Sequence, residues 1–354
     1  MRDYPGRSLV RRSRFHLVAA ALLTTVLAIL ATTTEVGAAG LAATTDGAVA
    51  ALTWWRAAVL GIVEGFTEFL PISSTGHLLI VARILGLPDT KGSAGLDAVN
   101  TYAIAIQFGA ILAVAGLFWR RLRDMVLGLF GRSDDGRHLL ISLAIAFVPA
   151  AVLGAAFDSK IEDLLFGPWP VIVAWLAGGA LILVLESAGR LGAKEPSASG
   201  AGSAQEPSSG ATRSGTAMQT MVDPLAQITY QRAAIIGAAQ CLALWPGTSR
   251  SLATILAALL LGVSMSAAVE FSFLLGFLTL SAATAFKLLK DGGALVEQFG
   301  ILNPVIGAVF AFASAVAAIR WMIGYLRHHD LSIFAWYRFA AAFLAIGLLA
   351  ANVI

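Results

Sequence analysis

Six apolar runs, at roughly 102–119, 138–157, 169–187, 269–287, 304–324 and 334–353, dominate this chain of 354 residues. Each is close to the length of about 20 residues that a helix needs to cross a bilayer. In hydrocarbon every backbone N–H and C=O must find a partner within the protein, so only helices and closed barrels span. Strand-like alternation is absent, which leaves an all-α, polytopic integral membrane protein. Composition agrees: 13% of residues are charged and 58% hydrophobic, against about 25% and 45–50% in soluble domains. The net charge of +3 is small, and the arginines cluster beside apolar runs. That places topology signals on the chain and excludes a nucleic-acid partner. Cys241 is the sole cysteine, so there is no internal disulfide and no cysteine-based metal site.

Residues 1–50 form a signal-like segment or an extra transmembrane segment. Arg2, Arg7, Arg11, Arg12 and Arg14 precede the apolar run 17–31, and "VGAAGLAA" offers small residues that a signal peptidase accepts. The sequence does not separate a cleaved signal from a retained helix. In either case the arginines stay in the cytoplasm and residue 50 lies outside. Residues 188–226 are rich in Ser, Gly, Ala and Pro and read as a flexible linker. The linker divides a first repeat, 51–187, from a second, 227–354.

The two parts resemble one another. "RAAVLGIVEG" from Arg56 matches "RAAIIGAAQC" from Arg232, and "VARILG" ending at Gly86 matches "AALLLG" ending at Gly262, both at an offset of 176 residues. Pro71 and Pro246 lie between, one residue out of register. Arg120, Arg121, Arg123, Arg132 and Arg137 mark the loop after the first span as cytoplasmic. Counting spans onward, the second repeat starts on the opposite side from the first, so the repeats are expected to be inverted. The segments 55–87 and 232–262 are too long for one span, too short for two, and broken by proline. Each fits a re-entrant helical hairpin, whose irregular tip is tolerated only where protein or a wet cavity surrounds it. Inverted repeats place their binding sites where such tips meet.

The first tip carries Glu64, Glu68, Ser73, Ser74, Thr75 and His77, in "EGFTEFLPISSTGH". Glu64 and Glu68 are four apart, so they share one helical face with Cβ atoms about 5–6 Å apart. Carboxylates that close raise one pKa or recruit a divalent cation. The bland alternative is that they face water or pair with Arg56 or Arg83. Gly76 is expected to permit a tight turn. His77 is a proton carrier, a nucleophile or a hydrogen-bonded core residue. The second tip, "WPGTSRSLAT", holds Gly247, Thr248, Ser249, Arg250, Ser251 and Thr254. An arginine fork near a helix N-terminus is an anion site, although Arg250 pairing with Glu64 or Glu68 is equally compatible. Hydroxyls, an arginine, two carboxylates and a histidine in an apolar wall suit a phosphate or diphosphate on a lipid tail. No Walker-type loop, CxxC set or HExxH is present in the sequence.

These two segments, "GIVEGFTEFLPISSTGHLLI" and "PGTSRSLAT", closely resemble the signatures of bacterial undecaprenyl-diphosphatases, over roughly residues 54–354. The resemblance implies hydrolysis of a polyprenyl diphosphate lipid to the monophosphate and inorganic phosphate, recycling the cell-wall lipid carrier. It also implies a multi-pass protein of the bacterial inner membrane, with the pocket on the extracytoplasmic side, and bacitracin resistance on overexpression. The family's glutamates fall on Glu64 and Glu68, its serine-rich turn and histidine on Ser73, Ser74 and His77, and its phosphate-binding loop on Gly247 to Thr254 around Arg250. One departure is Leu252, where the family usually has glycine. It is expected to narrow the turn's backbone options or to cover the pocket.

The expected catalytic set is Glu64, Glu68, Ser74, His77 and Arg250. Substrate would be held by Ser73, Thr75, Gly247, Thr248, Ser249, Ser251 and Thr254, with Mg2+ or Ca2+ on Glu64 and Glu68. Ser74 is the expected nucleophile with His77 as its proton partner; attack by His77 itself is the second choice. Membrane lipid is a partner, and the oligomeric state, homo-oligomer included, stays open. The competing reading is a lipid-phosphate flippase that carries without cleaving. A histidine-type lipid phosphatase of the other large membrane family would need a Pro-Ser-Gly-His segment and a later His–Asp pair, for which "SSTGH" is only an imitation.

Overall fold

The computed structural model describes residues 52–87, 94–165, 167–191 and 223–352. The segment 1–50 and residues 192–222 of the linker lie outside them. The described residues form eleven α-helices and no strand: α1 (Trp54–Thr67), α2 (Ser74–Ile84), α3 (Ala94–Leu117), α4 (Trp119–Leu129), α5 (Asp134–Leu165), α6 (Pro168–Ser187), α7 (Tyr230–Gln240), α8 (Arg250–Leu260), α9 (Met265–Phe299), α10 (Leu302–Tyr325) and α11 (Ser332–Ala350). Short 3₁₀ turns occupy Pro224–Gln227 and Cys241–Leu244.

Among the described residues five helices are long and apolar enough to cross a membrane: Asp134–Phe157 of α5, α6, Met265–Lys287 of α9, α10 and α11. A sixth arises if Ala105–Leu117 and α4, bent by 80° at Phe118, count as one broken span. The protein is therefore a polytopic helical membrane protein, with spans where the apolar runs placed them. The bend carries the first arginines into α4 rather than into a loop. There Arg121 bonds Asp223 with two nitrogens and Glu270 Oε1 with its Nε at 2.7 Å. The linker's last residues are consequently structured: Asp223 caps the 3₁₀ turn by accepting from Leu225 N and is held to α9 through Arg121.

The helices α1–α2 and α7–α8 are the expected broken hairpins, and their local structure repeats at the 176-residue offset. Helix α2 starts at Ser74 and α8 at Arg250, each after a serine with positive φ, Ser73 at 72° and Ser249 at 74°. Both second helices end at a left-handed glycine, Gly86 or Gly262, whose following N–H returns to the helix, Leu87 N to Ala82 O and Val263 N to Ala258 O. Such αL endings are the ordinary use of glycine at a helix C-terminus.

Packing crosses between the halves. Helix α1 packs on α10 of the second half, and α7 packs on α5 of the first; α3 meets α9, and α6 meets α11. Small residues make the close crossings possible. A Cβ on Gly61 would lie 2.2 Å from Gly307 O, and one on Gly237, 176 positions later, 2.4 Å from Ala146 O. Helices in lipid gain no hydrophobic drive toward each other, so close backbone approach at small residues supplies the attraction. The crossing of hairpins between halves brings both tips against the inner faces of α6, α9 and α11.

Candidate active site

The chemistry begins where α1 ends. Glu64 lies on the last full turn of α1, and Glu68, its C-cap, keeps helical dihedrals, so both carboxylates stay on one face. Both are buried, at 1% and 8% exposure. The chain then turns through Phe69–Ile72 and reverses at Ser73. A non-glycine residue at positive φ costs about 1–3 kcal/mol and persists only where its surroundings hold it. Here it puts Ser74 at the start of α2, facing back toward Glu68.

Ser74 Oγ donates to Glu68 Oε2, and Glu68 Oε1 accepts from Arg250 Nη2 at 3.0 Å. A hydroxyl, a carboxylate and a guanidinium from the two tips thus form one relay. Arg250 also reaches Ser272 O at 3.4 Å and stacks over the Phe69 ring, 5.7 Å from its centroid. Its Nε is buried without a partner. The Glu64 carboxylate is buried with no hydrogen bond of full geometry; the Gln107 side chain, Glu68 and Arg250 are the groups that act on it. A buried carboxylate so weakly partnered is costly.

His77 does not serve Ser74. Its Nδ1 lies 2.6 Å from Ser73 O, and a carbonyl only accepts, so the proton is on Nδ1. Nε2 then accepts from Tyr337 Oη at 2.9 Å, while the ring packs 4.8 Å from that of Trp175. The hydrogen-bond partner of Ser74 is Glu68, where the sequence predicts His77. The bonds of His77 pin the strained Ser73 turn to α11.

The hydroxyls divide into two sets. Ser251 Oγ donates to Leu70 O of the other tip at 2.9 Å, and Ser249 Oγ lies 3.0 Å from Ser251 Oγ while accepting from Leu252 N. Thr254 Oγ1 donates to Arg250 O at 2.9 Å and bonds Ser272 Oγ at 2.7 Å. These three, expected to hold substrate, are structural cross-links between the tips and α9. Ser73, Thr75 and Thr248 make no side-chain hydrogen bond among the described residues, and Thr75 is exposed. The helix N-termini divide in the same way. Ser249 caps α8, whereas Ser73 leaves α2 without a side-chain cap. First-turn N–H groups without a side-chain cap can bind anions, and those of α2 lie beside Ser74.

Two glycine and leucine expectations change. Gly76 is helical and makes room for Trp175, whose ring would lie 2.7 Å from a Cβ there; the turn is made by Ser73. At the second tip Gly247 does take positive φ, 94°. Leu252 sits in the first turn of α8, buried in the main hydrophobic core, so it neither strains the turn nor covers the pocket.

Sequence reading missed Tyr337 and Arg338. Arg338 is fully buried and bonds carbonyls of both tips. An arginine inside the apolar run 334–353 was the available signal, since an ionisable residue in a span is a functional candidate.

No group of three or more His, Cys, Asp or Glu side chains gathers among the described residues. Glu64, whose buried oxygens make no hydrogen bond of full geometry, is the carboxylate that would hold a hard divalent cation, since such ions take their remaining ligands from phosphate and water; both Glu68 oxygens are bonded to Ser74 and Arg250.

The family model described as "Bacitracin resistance protein BacA" matches residues 57–344. The chain is 41% identical over 296 residues to an undecaprenyl-diphosphatase of Sorangium cellulosum, covering 83% of this chain and 86% of that protein. It is 38% identical over 286 residues to undecaprenyl-diphosphatase 1 of Burkholderia lata, covering 80% and 91%. With undecaprenyl-diphosphatase 2 of Rhodospirillum rubrum the identity is 40% over 285 residues, covering 80% and 91%. The matched region takes in both hairpin tips and every residue of the relay, and the chain belongs to the bacitracin resistance protein BacA family.

Proposed function

We propose that the protein hydrolyses undecaprenyl diphosphate to undecaprenyl phosphate and inorganic phosphate. The relatives' shared name supports the substrate. The observation that carries the reaction is the relay from Ser74 Oγ through Glu68 to Arg250 at the uncapped start of α2. Carrying a lipid phosphate without cleaving it needs an anion site; it does not need a hydroxyl aligned on a carboxylate.

The terminal phosphate is received by the first-turn N–H groups of α2, the hydroxyls of Ser73, Thr75 and Thr248, and the positive charge of Arg250. Ser74 Oγ attacks the terminal phosphorus while its proton passes to Glu68 Oε2. The bond from that phosphorus to the bridging oxygen breaks, and the lipid monophosphate leaves with the bridging oxygen, taking the proton from Glu68. Water then attacks the phosphoserine, losing a proton to Glu68; the bond to Oγ breaks and Ser74 is reprotonated. Mg2+ or Ca2+ held by Glu64 and Glu68 would neutralise diphosphate charge and polarise the phosphoryl oxygens. Arg250 holds Glu68 oriented between turnovers.

The pocket is proposed to open on the extracytoplasmic side of the bacterial inner membrane, with the hairpins entering from opposite faces as inverted repeats. Reciprocal packing of α1 on α10 and α7 on α5 supports such a two-fold relation. The test is inorganic phosphate released from undecaprenyl diphosphate by the purified protein. Ser74→Ala and Glu68→Gln are each expected to lower turnover by about 10²–10⁴. Full turnover in both would remove the serine mechanism, and no release by folded wild-type protein would remove the diphosphatase reading.

A further inference from the structure

The guanidinium of Arg338, on α11, is spent entirely on main-chain carbonyls. Its Nε donates to Trp175 O at 3.2 Å, Nη1 to Pro71 O at 3.2 Å and Thr248 O at 3.3 Å, and Nη2 to Ala174 O at 2.7 Å and Gly247 O at 2.9 Å. A guanidinium has five N–H donors, and all five are used here. Pro71 belongs to the first tip, Gly247 and Thr248 to the second, and Ala174 and Trp175 to α6. The side chain is fully buried, so it cannot touch a substrate, and no carboxylate is among its partners.

We infer that Arg338 is a positioning residue that sets the register of the two tips and places one uncompensated positive charge behind the diphosphate site. The inference deepens the reading above and rests on it. Pro71 lies three residues before Ser74, and Thr248 two before Arg250, so each tip is held on the backbone near its reactive side chain. A buried charge in lipid is tolerated when it has a task or a partner, and here carbonyl dipoles satisfy the hydrogen bonds without cancelling the charge. Space for the group is built in: a Cβ on Gly178 of α6 would lie 2.4 Å from Arg338 Nη2. Arginine is the only side chain with a planar fork of five donors, so lysine preserves the charge but not the cross-link.

The test compares Arg338→Lys, Arg338→Gln and Gly178→Ala, each first shown to be folded by its thermal transition. Lysine keeps the charge and loses the register, so kcat should fall by about 10²-fold, the cost of roughly 1 Å of misplacement, with KM close to wild type. Glutamine loses both, adding a rise in KM of roughly tenfold, as expected for a removed charge in a low-dielectric site. Gly178→Ala displaces the guanidinium without removing it and should behave like lysine. A merely structural residue would lower stability and active fraction alike in all three and would leave KM unmoved in each. Hydrogen exchange supplies a readout independent of turnover: segments 67–74 and 245–251 should both lose protection in Arg338→Lys. Loss of protection confined to α11, or equal KM for lysine and glutamine, overturns the inference. Inactive wild-type protein with the exchange pattern intact would overturn the diphosphatase reading and leave the positioning role standing.

Discussion

The substitution Gly276→Ala tests the relay without touching any residue in it. Gly276 lies on α9 beneath the Arg250 guanidinium, and an added Cβ would sit 1.7 Å from Arg250 Nη1 and 2.5 Å from Cζ. Contact becomes ordinary at 3.4 Å, so the guanidinium has to retreat by about 1.7 Å, because α9 is a long packed helix and Arg250 a flexible side chain. The 3.0 Å bond to Glu68 does not survive a shift of that size. A charge-assisted hydrogen bond contributes about 1.5–3 kcal/mol, and misplacing a catalytic group by 1 Å costs about 10²-fold, equivalent to about 2.7 kcal/mol of barrier. The two estimates agree, so kcat/KM should fall roughly 100-fold. The assay is phosphate release by the purified protein, with Gly324→Ala on α10 as control, since a Cβ there meets nothing within 4 Å. Wild-type kcat/KM in folded Gly276→Ala, measured beside an unaffected control, refutes the claim that Arg250 must stay on Glu68.

Glu64→Gln should raise the Mg2+ concentration giving half-maximal activity by at least about tenfold, or about 1.4 kcal/mol, while EDTA should abolish turnover in the wild type; EDTA-insensitive turnover removes the cation. Ser249→Ala deletes the cap on Leu252 N and the contacts with Ser251 and Leu70, so the thermal midpoint should fall in line with about 1 kcal/mol. Thr75→Ala should leave the midpoint unchanged and raise KM. Burial pushes the Asp223 carboxyl up, but hydrogen bonds from Arg121 and Leu225 N and the charge of Arg121 outweigh it and hold it below the usual carboxylate range. Its folded pKa is depressed, so its contribution is present above the unfolded value of about 3.9 and is lost as pH falls through the folded one. Asp223→Asn should flatten the acid limb of the stability profile below about pH 4, and an unchanged limb counts against it.

Much of this was legible because its physical causes are local. Pro71 and Pro246-Gly247 stand beside runs of Ser and Thr in the middle of 30-residue apolar segments, and that combination placed both hairpins; proline alone does not break a helix, since Pro149 lies inside α5. The 176-residue offset survives in the serine and glycine conformations because those depend on a few adjacent residues. Bonding partners are not local. That Ser74 turns to Glu68, and His77 to Tyr337 260 residues away, depends on how α11 crosses the tips. Likewise Ser249, Ser251 and Thr254 look in sequence like phosphate ligands, since a hydroxyl beside an arginine has the same letters whether it faces a ligand or a carbonyl. Gly76 and Leu252 misled for a related reason: each was assigned to the turn, but both lie inside helices and are set by packing against α6 and the core.

The two tips share a backbone and differ in chemistry. At the 176-residue offset Gln240 stands opposite Glu64, Leu244 opposite Glu68, Arg250 opposite Ser74 and Ala253 opposite His77. One tip therefore carries the acids and the proposed nucleophile, and the other the arginine. The capping follows the same division. Ser249 spends its hydroxyl on capping the first turn of α8. Ser73, in the same strained conformation, withholds its hydroxyl and leaves the α2 N–H groups open. Strain at Ser249 serves assembly, whereas strain at Ser73 places Ser74 beside a helix end that no side chain caps, the proposed anion site. If that division is right, Ser73→Gly relieves the positive φ and should stabilise the fold by a few tenths to about 1 kcal/mol while lowering turnover through a looser Ser74. Ser249→Gly also relieves the φ but forfeits the cap and the cross-tip bonds, so it should gain no stability. Equal responses at the two serines would mean that the tips have not specialised, and that the open N-terminus of α2 has no part in binding phosphate.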